Sequence, residues 1–130
     1  MFGQIILTLV SLLTGIGPFI ADFNKTHVYN PRWPPHAKFH NGQTMSLGLL
    51  LGLLTLYYTW RLPSDGSVSS IDSLFTAAIT GSIYWLAGMS ASFYPGSLAI
   101  DPEFGTGFPQ LPLFAGAAVG SWVAYILETF

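Results

Sequence analysis

Four stretches of this chain carry no Asp, Glu, Lys or Arg: residues 1–21, 39–60, 73–100 and 104–127. A helix that crosses the hydrocarbon core of a bilayer needs about 20 mostly apolar residues, and each stretch reaches that length. A charge at the centre of such a helix costs roughly 2.5–3.5 kcal/mol on insertion scales, which accounts for the gaps. The spacing predicts an all-α, integral membrane four-helix bundle in up-down order. Its helices are expected at about 2–21, 36–60, 72–94 and 110–129, in one domain spanning 1–130. A soluble bundle is the weaker reading, because helices apolar on every side have nothing to present to water.

Composition narrows the function. Only 8% of residues are charged and 51% are apolar, where a soluble domain carries roughly 25% charged residues. A formal net charge of −2 leaves no basic surface for nucleic acid. There is no cysteine, which excludes disulfides, thiolate nucleophiles and thiolate metal sites. No nucleotide-binding motif is present. The first window, "MFGQIILTLVSLLTGIGPFIADF", lacks a basic n-region, and its apolar run is long for a signal peptide. It is expected to be a retained helix.

The polarity that remains is concentrated in "FNKTHVYNPRWPPHAKFHNGQ", residues 23–43, which holds all three histidines together with Lys25, Arg32 and Lys38. Pro34 and Pro35 suit a helix start, where a missing N–H is no loss, so the second helix should open at Pro35. "SSID", from Ser69 to Asp72, has a capping pattern ahead of the third apolar run. "RLPSDGSVSS" reads as a short polar turn. "FYPGSLAIDPEFGTGFPQLP" is too long for a plain connector and is expected to be a lid or site wall. Gly48 with Gly52, and Gly116 with Gly120, are GxxxG pairs. They let helices approach closely within the chain, with homodimerisation as the alternative use.

Up-down order places the loops after helices one and three on one membrane face. That gathers Asp22, Asp101 and Glu103 with His27, His36 and His40. His36, His40 and Gln43 fall at i, i+4 and i+7, on one helical stripe that Thr44 continues. A polar stripe entering a membrane helix is expected to face the bundle interior. The reading is a pocket in which His36 and His40 transfer protons, tuned by His27, Asp22, Asp101 and Glu103. His40, the deepest, is the main catalytic candidate. Asn30, Arg32, Trp33, Gln43, Tyr84 and Trp85 are the candidate substrate contacts; for Arg32, binding an anionic group bidentately and a structural ion pair with Asp22 or Asp101 are equal readings. No cofactor is expected. The alternative is a transition metal ion held by His27, His36 and His40. A third reading makes the histidines structural anchors of an interfacial lid.

The block "THVYNPRWPPHAKFHNGQ", set among four membrane helices, resembles a family of small membrane proteins of unknown function, best represented in fungi. Its members carry a His…Asn-Pro-x-Trp-Pro-Pro-His-x-x-Phe-His block, matched here by His27, Asn30, Pro31, Trp33, Pro34, Pro35, His36, Phe39 and His40. The resemblance covers nearly the whole chain. It implies one compact domain and supplies no reaction.

The expected function is therefore a multi-pass membrane enzyme acting on a lipophilic metabolite by His/carboxylate acid–base chemistry: isomerisation, cyclisation or hydrolysis. The alternatives are a His-ligated metal enzyme and a non-catalytic lipid-binding or accessory subunit. The bilayer and a lipophilic small molecule are the expected partners, and the endoplasmic reticulum is the expected membrane in a eukaryote.

Lys25, Arg32 and Lys38 against Arg61 alone set the orientation by the positive-inside rule, with the loop face cytoplasmic and both chain ends outside. A cysteine introduced by Ser97→Cys should react with a membrane-impermeant thiol reagent only from the cytoplasmic side. Lumenal labelling, or a glycan on Asn24 of the Asn24-Lys25-Thr26 sequon, reverses the topology.

Overall fold

The computed structural model describes residues 1–61 and 70–130. Within them the chain forms α1 (Phe2–Asp22), α2 (Pro35–Trp60), α3 (Ser70–Ser90), a short 3₁₀ turn (Ala91–Phe93) and α4 (Leu111–Thr129). Pro35 occupies the first turn of α2, as its missing N–H favours. The polar turn expected between helices two and three, and Ser69 of the capping pattern, lie outside the described residues. The third helix ends at Ser90 rather than near 94, because the chain tightens into the 3₁₀ turn.

Contacts along the helices give the up-down order directly. On α1 and α2, Gln4 meets Thr59, Ser11 meets Gly52 and Asp22 meets Asn41, so residue numbers run in opposite directions. Thr55 with Thr80, and Gly48 beside Tyr84, do the same for α2 and α3. Phe75 packs on Trp122 and Trp85 on Phe114, setting α3 against α4. Gly3 N–H donates to Glu128 Oε1 at 2.8 Å, which closes the ring between α4 and α1.

The inside of this bundle is small and polar, and its outside is large and apolar. Ser11, Thr14, Thr55, Thr59, Ser82 and Ser121 are buried, while Leu9, Ile16, Leu50, Leu53 and Leu127 are exposed. Each of these six hydroxyls finds a carbonyl or hydroxyl, such as Thr55 Oγ1 on Leu51 O and Thr80 Oγ1. That distribution suits lipid, where helices associate through close packing and interhelical hydrogen bonds. Helices α1, α4 and α3 with its 3₁₀ extension are long and apolar enough to cross a membrane.

Helix α2 falls short of that mark because its first turns hold His36, Lys38, His40, Asn41 and Gln43. Its 26 residues span roughly 39 Å at 1.5 Å per residue. This exceeds a hydrocarbon thickness of about 30 Å. That excess length is enough for the polar turns to reach headgroup depth while the leucine-rich remainder lies deeper.

Helices α1 and α2 approach closely at two glycines. Pro18 lies inside α1 and has no N–H to give the Thr14 carbonyl. Gly48 fills the space opposite that carbonyl: a Cβ there would sit 2.8 Å from Thr14 O. A Cβ on Gly52 would sit 2.7 Å from Ser11 O and 2.9 Å from Gly15 N. Ser11 Oγ donates to Gly52 O at 2.7 Å, locking the crossing. The small surface of Gly48 and Gly52 is thus spent within the chain. Gly116 has open space around it, and Gly120 stands 3.8 Å from Ile6 Cγ2.

Gly52→Ala should therefore destabilise the bundle by about 1–3 kcal/mol through overpacking against backbone that cannot yield. Gly116→Ala should be neutral or stabilising, since alanine is the better helix former by about 1 kcal/mol. Thermal unfolding in detergent checks the pair, with the Gly52 variant melting lower.

Candidate functional site

The loop after α1 folds back on itself. Asp22 O accepts from the N–H of both Asn24 and Val28, and Asn24 O accepts from Tyr29 N–H. Within this turn Asn24 Oδ1 accepts from both the N–H and the hydroxyl of Thr26, at 2.7 and 2.6 Å. The Thr26 hydroxyl proton is thus committed. Its oxygen, 2.6 Å from His27 Nδ1, can only accept from that ring nitrogen. The relay His27 Nδ1–H to Thr26 to Asn24 fixes the neutral tautomer of His27 and leaves its Nε2 lone pair free.

Asp22 ends α1 beside this ring. Its Oδ1 stands 3.8 Å from His27 Nδ1, and its Oδ2 accepts from Asn41 Nδ2 at 2.8 Å. Asn41 is buried on the inner face of α2, and its Oδ1 has no hydrogen-bond partner. Tyr84 on α3 packs its ring on Gly48 and lies within electrostatic reach of Asp22. A carboxylate, an imidazole with one free nitrogen and a buried amide thus meet at the loop end of the bundle.

The two loops of this face are bonded to each other, as up-down order requires. Trp33 Nε1 donates to Asp101 Oδ2 at 3.1 Å, and the Trp33 ring stands edge-on to His27 with centroids 4.7 Å apart. Arg32 forms an ion pair with Glu103. Asn30, 2% exposed, donates to Thr26 O and Glu103 Oε1 and accepts from Arg32 N–H at 2.9 Å. Together with Pro102 these residues line an open recess of about 420 Å³. A second recess of about 210 Å³ lies under the 91–110 loop, between Phe108, Phe114 and Gln110.

Several expectations for the histidine block change in this geometry. His36, His40 and Gln43 do share one stripe: His36 Nε2 is 3.0 Å from His40 Nε2, and His40 Nδ1 is 3.2 Å from Gln43 Oε1. The stripe faces outward, however, and all three side chains are exposed. It continues through Leu47, Leu50 and Leu54, which are exposed too. The interior belongs to Asn41, Met45, Gly48, Gly52, Thr55 and Thr59, and that choice follows from the glycine contact with α1. Asp101 and Glu103 are spent on Trp33, Asn30 and Arg32, and do not cover His36 or His40. His27 joins Asp22 and Trp33 rather than the other two histidines. Among the described residues no three His, Asp or Glu side chains come together as a metal site.

Arg32 pairs with Glu103 rather than Asp22 or Asp101, which are held by Asn41 and Trp33. Trp85 is a core residue, 2% exposed, with its Nε1 donating to Thr14 Oγ1 at 3.0 Å. The sequence reading passed over Asn41. Counting one heptad back from Gly48 would have found it, because residues seven apart share a helix face.

A small helical bundle built for lipid, with ionisable side chains gathered at one end, defines the class. The chain belongs to a family of unknown function (DUF6640), whose model matches residues 6–129. Nothing among the curated proteins or the solved structures matches it.

Asn30 and Arg32 should differ sharply on truncation. Asn30→Ala leaves buried partners unpaired and should cost about 1–3 kcal/mol. Arg32→Ala removes an ion pair whose arginine side chain is 70% exposed, and should cost less than about 1 kcal/mol. Melting temperatures of the two variants, compared with the parent, test this order.

Proposed function

We propose that the chain is a small membrane enzyme acting on a lipophilic metabolite by acid–base chemistry, with His27 moving the proton beside the Asp22 carboxylate. The observation that carries this reading is the contact of His27 Nδ1 with a Thr26 hydroxyl already committed to Asn24, which assigns the ring's tautomer. With Nδ1–H held by Thr26, the free Nε2 is the basic atom. The Asp22 carboxylate stands 3.8 Å from Nδ1, beside the ring that would take the proton.

Asn41 supports the same reading. Its amide is held on Asp22, and its unpartnered carbonyl oxygen offers an acceptor to a substrate hydroxyl. A buried acceptor left unpaired costs about 1–3 kcal/mol, which a bound polar group offsets. The substrate would reach this end of the bundle from the bilayer, with its polar group at headgroup depth. Isomerisation, cyclisation and hydrolysis all fit, since each needs only proton transfer and positioning. In a eukaryotic cell the endoplasmic reticulum suits such a substrate.

A non-catalytic lipid-binding or accessory subunit is the second reading. It is favoured by the way Asn30, Arg32 and Trp33 are satisfied by Asp101 and Glu103, which is how a lid is fastened.

His27→Gln separates the two. The amide keeps much of the size and hydrogen bonding but cannot cycle a proton near neutral pH. As an enzyme, the variant should lose about 10²–10⁴-fold in rate while its melting temperature stays near that of the parent. The readout is the lipid extract of the producing cell, compared by mass spectrometry between parent, His27→Gln and a strain lacking the protein. Extracts of His27→Gln should match the deletion. If they match the parent in a folded variant, catalysis by His27 is wrong and the accessory reading replaces it.

A further inference from the structure

Acid–base chemistry at His27 leaves the His36–His40 pair without a task. The pair lies exposed on the outward face of α2, in its first two turns, at the polar end of the bundle. Gln43 Oε1 can only accept, so His40 Nδ1 carries the hydrogen across their 3.2 Å contact. His40 Nε2 therefore presents a lone pair, and it does so 3.0 Å from His36 Nε2. His36 is itself stacked on Phe39, with ring planes 2° apart. Two nitrogens facing at this distance need a shared proton or a cation between them.

We infer that His36 Nε2 and His40 Nε2 form a two-point chelate for a divalent transition metal ion, copper(II) above all. The spacing suits the ion. With metal–nitrogen bonds of about 2.0–2.1 Å, nitrogens 3.0 Å apart subtend roughly 91–97° at the metal. That is the cis angle of a tetragonal site, the geometry of copper(II) and nickel(II), and copper(II) stands highest in the affinity series. A tetrahedral ion would need the nitrogens about 3.3–3.4 Å apart. Gln43 acts as the outer partner that holds the His40 tautomer and orients its ring, as hydrogen bonds behind metal-bound histidines commonly do. His36 enters the chelate by moving its proton from Nε2 to Nδ1, so binding to the neutral rings releases none. Water completes the coordination on the open side.

The test is a titration of the purified full chain in detergent with copper(II) sulfate near neutral pH, followed by electron paramagnetic resonance. The parent should bind one equivalent with superhyperfine splitting from two imidazole nitrogens. His36→Gln and His40→Gln should each lose the two-nitrogen pattern and weaken binding by at least about tenfold, and Gln43→Leu should weaken it by roughly 10–100-fold. All three positions are exposed, so these variants keep the parent's melting temperature without metal. Acidification should release the copper as protons compete with the metal for the ring nitrogens. His27→Gln should bind as the parent does, which separates this site from the acid–base reading. A parent spectrum with a single nitrogen, parent-like binding by the His36→Gln/His40→Gln double variant, or loss of binding in His27→Gln would each overturn the chelate.

Discussion

The close crossing of α1 and α2 determines most of what this protein presents to its surroundings. Pro18 leaves the Thr14 carbonyl without its helical partner, and Gly48 approaches it where no other residue would fit. Ser11 then ties the Gly52 carbonyl. In lipid there is no hydrophobic force to press helices together, so such backbone approaches and hydroxyl bonds supply the attraction. Once Gly48 and Gly52 face α1, the rotation of α2 is decided. Asn41, one heptad earlier, must enter the bundle, and His36, His40 and Gln43 must leave it.

That rotation divides a continuous motif into parts with different chemistry. The loop half, His27 to Trp33, turns toward α1 and the 91–110 loop. There, Asp22, Asp101 and Glu103 each take a different partner, and the Thr26–Asn24 relay assigns the tautomer of His27. The helical half, beginning at Pro35, turns its imidazoles to the headgroup layer. Two histidine environments result from one short segment. One is half-buried beside a carboxylate and suited to moving protons, and the other is exposed, paired and suited to a cation.

The architecture was legible in the sequence because bilayer physics acts on each residue separately. An unpaired charge is costly wherever it falls in a span, so charge-free windows give the number and position of helices without any knowledge of their contacts. The start of α2 was legible for the same local reason, through the backbone restrictions of Pro34 and Pro35. The shared face of the two loops followed from counting spans, and the Trp33–Asp101 and Arg32–Glu103 contacts are its consequence.

The sequence by itself thus determined the helices, their order, the polar end and the stripe that joins His36, His40 and Gln43. Only the tertiary structure decided which way that stripe points. A helix with polar groups on more than one side has no intrinsic interior. Asn41 and His40 are neighbours in sequence, and either could enter a bundle. The choice depends on where the partner backbone comes closest, a distance set jointly by Pro18, Thr14, Gly48 and Gly52 across two helices. The same holds for the protons. The tautomer of His27 depends on a threonine whose own hydrogen is committed to an asparagine, and such a relay exists only once the loop has closed on itself.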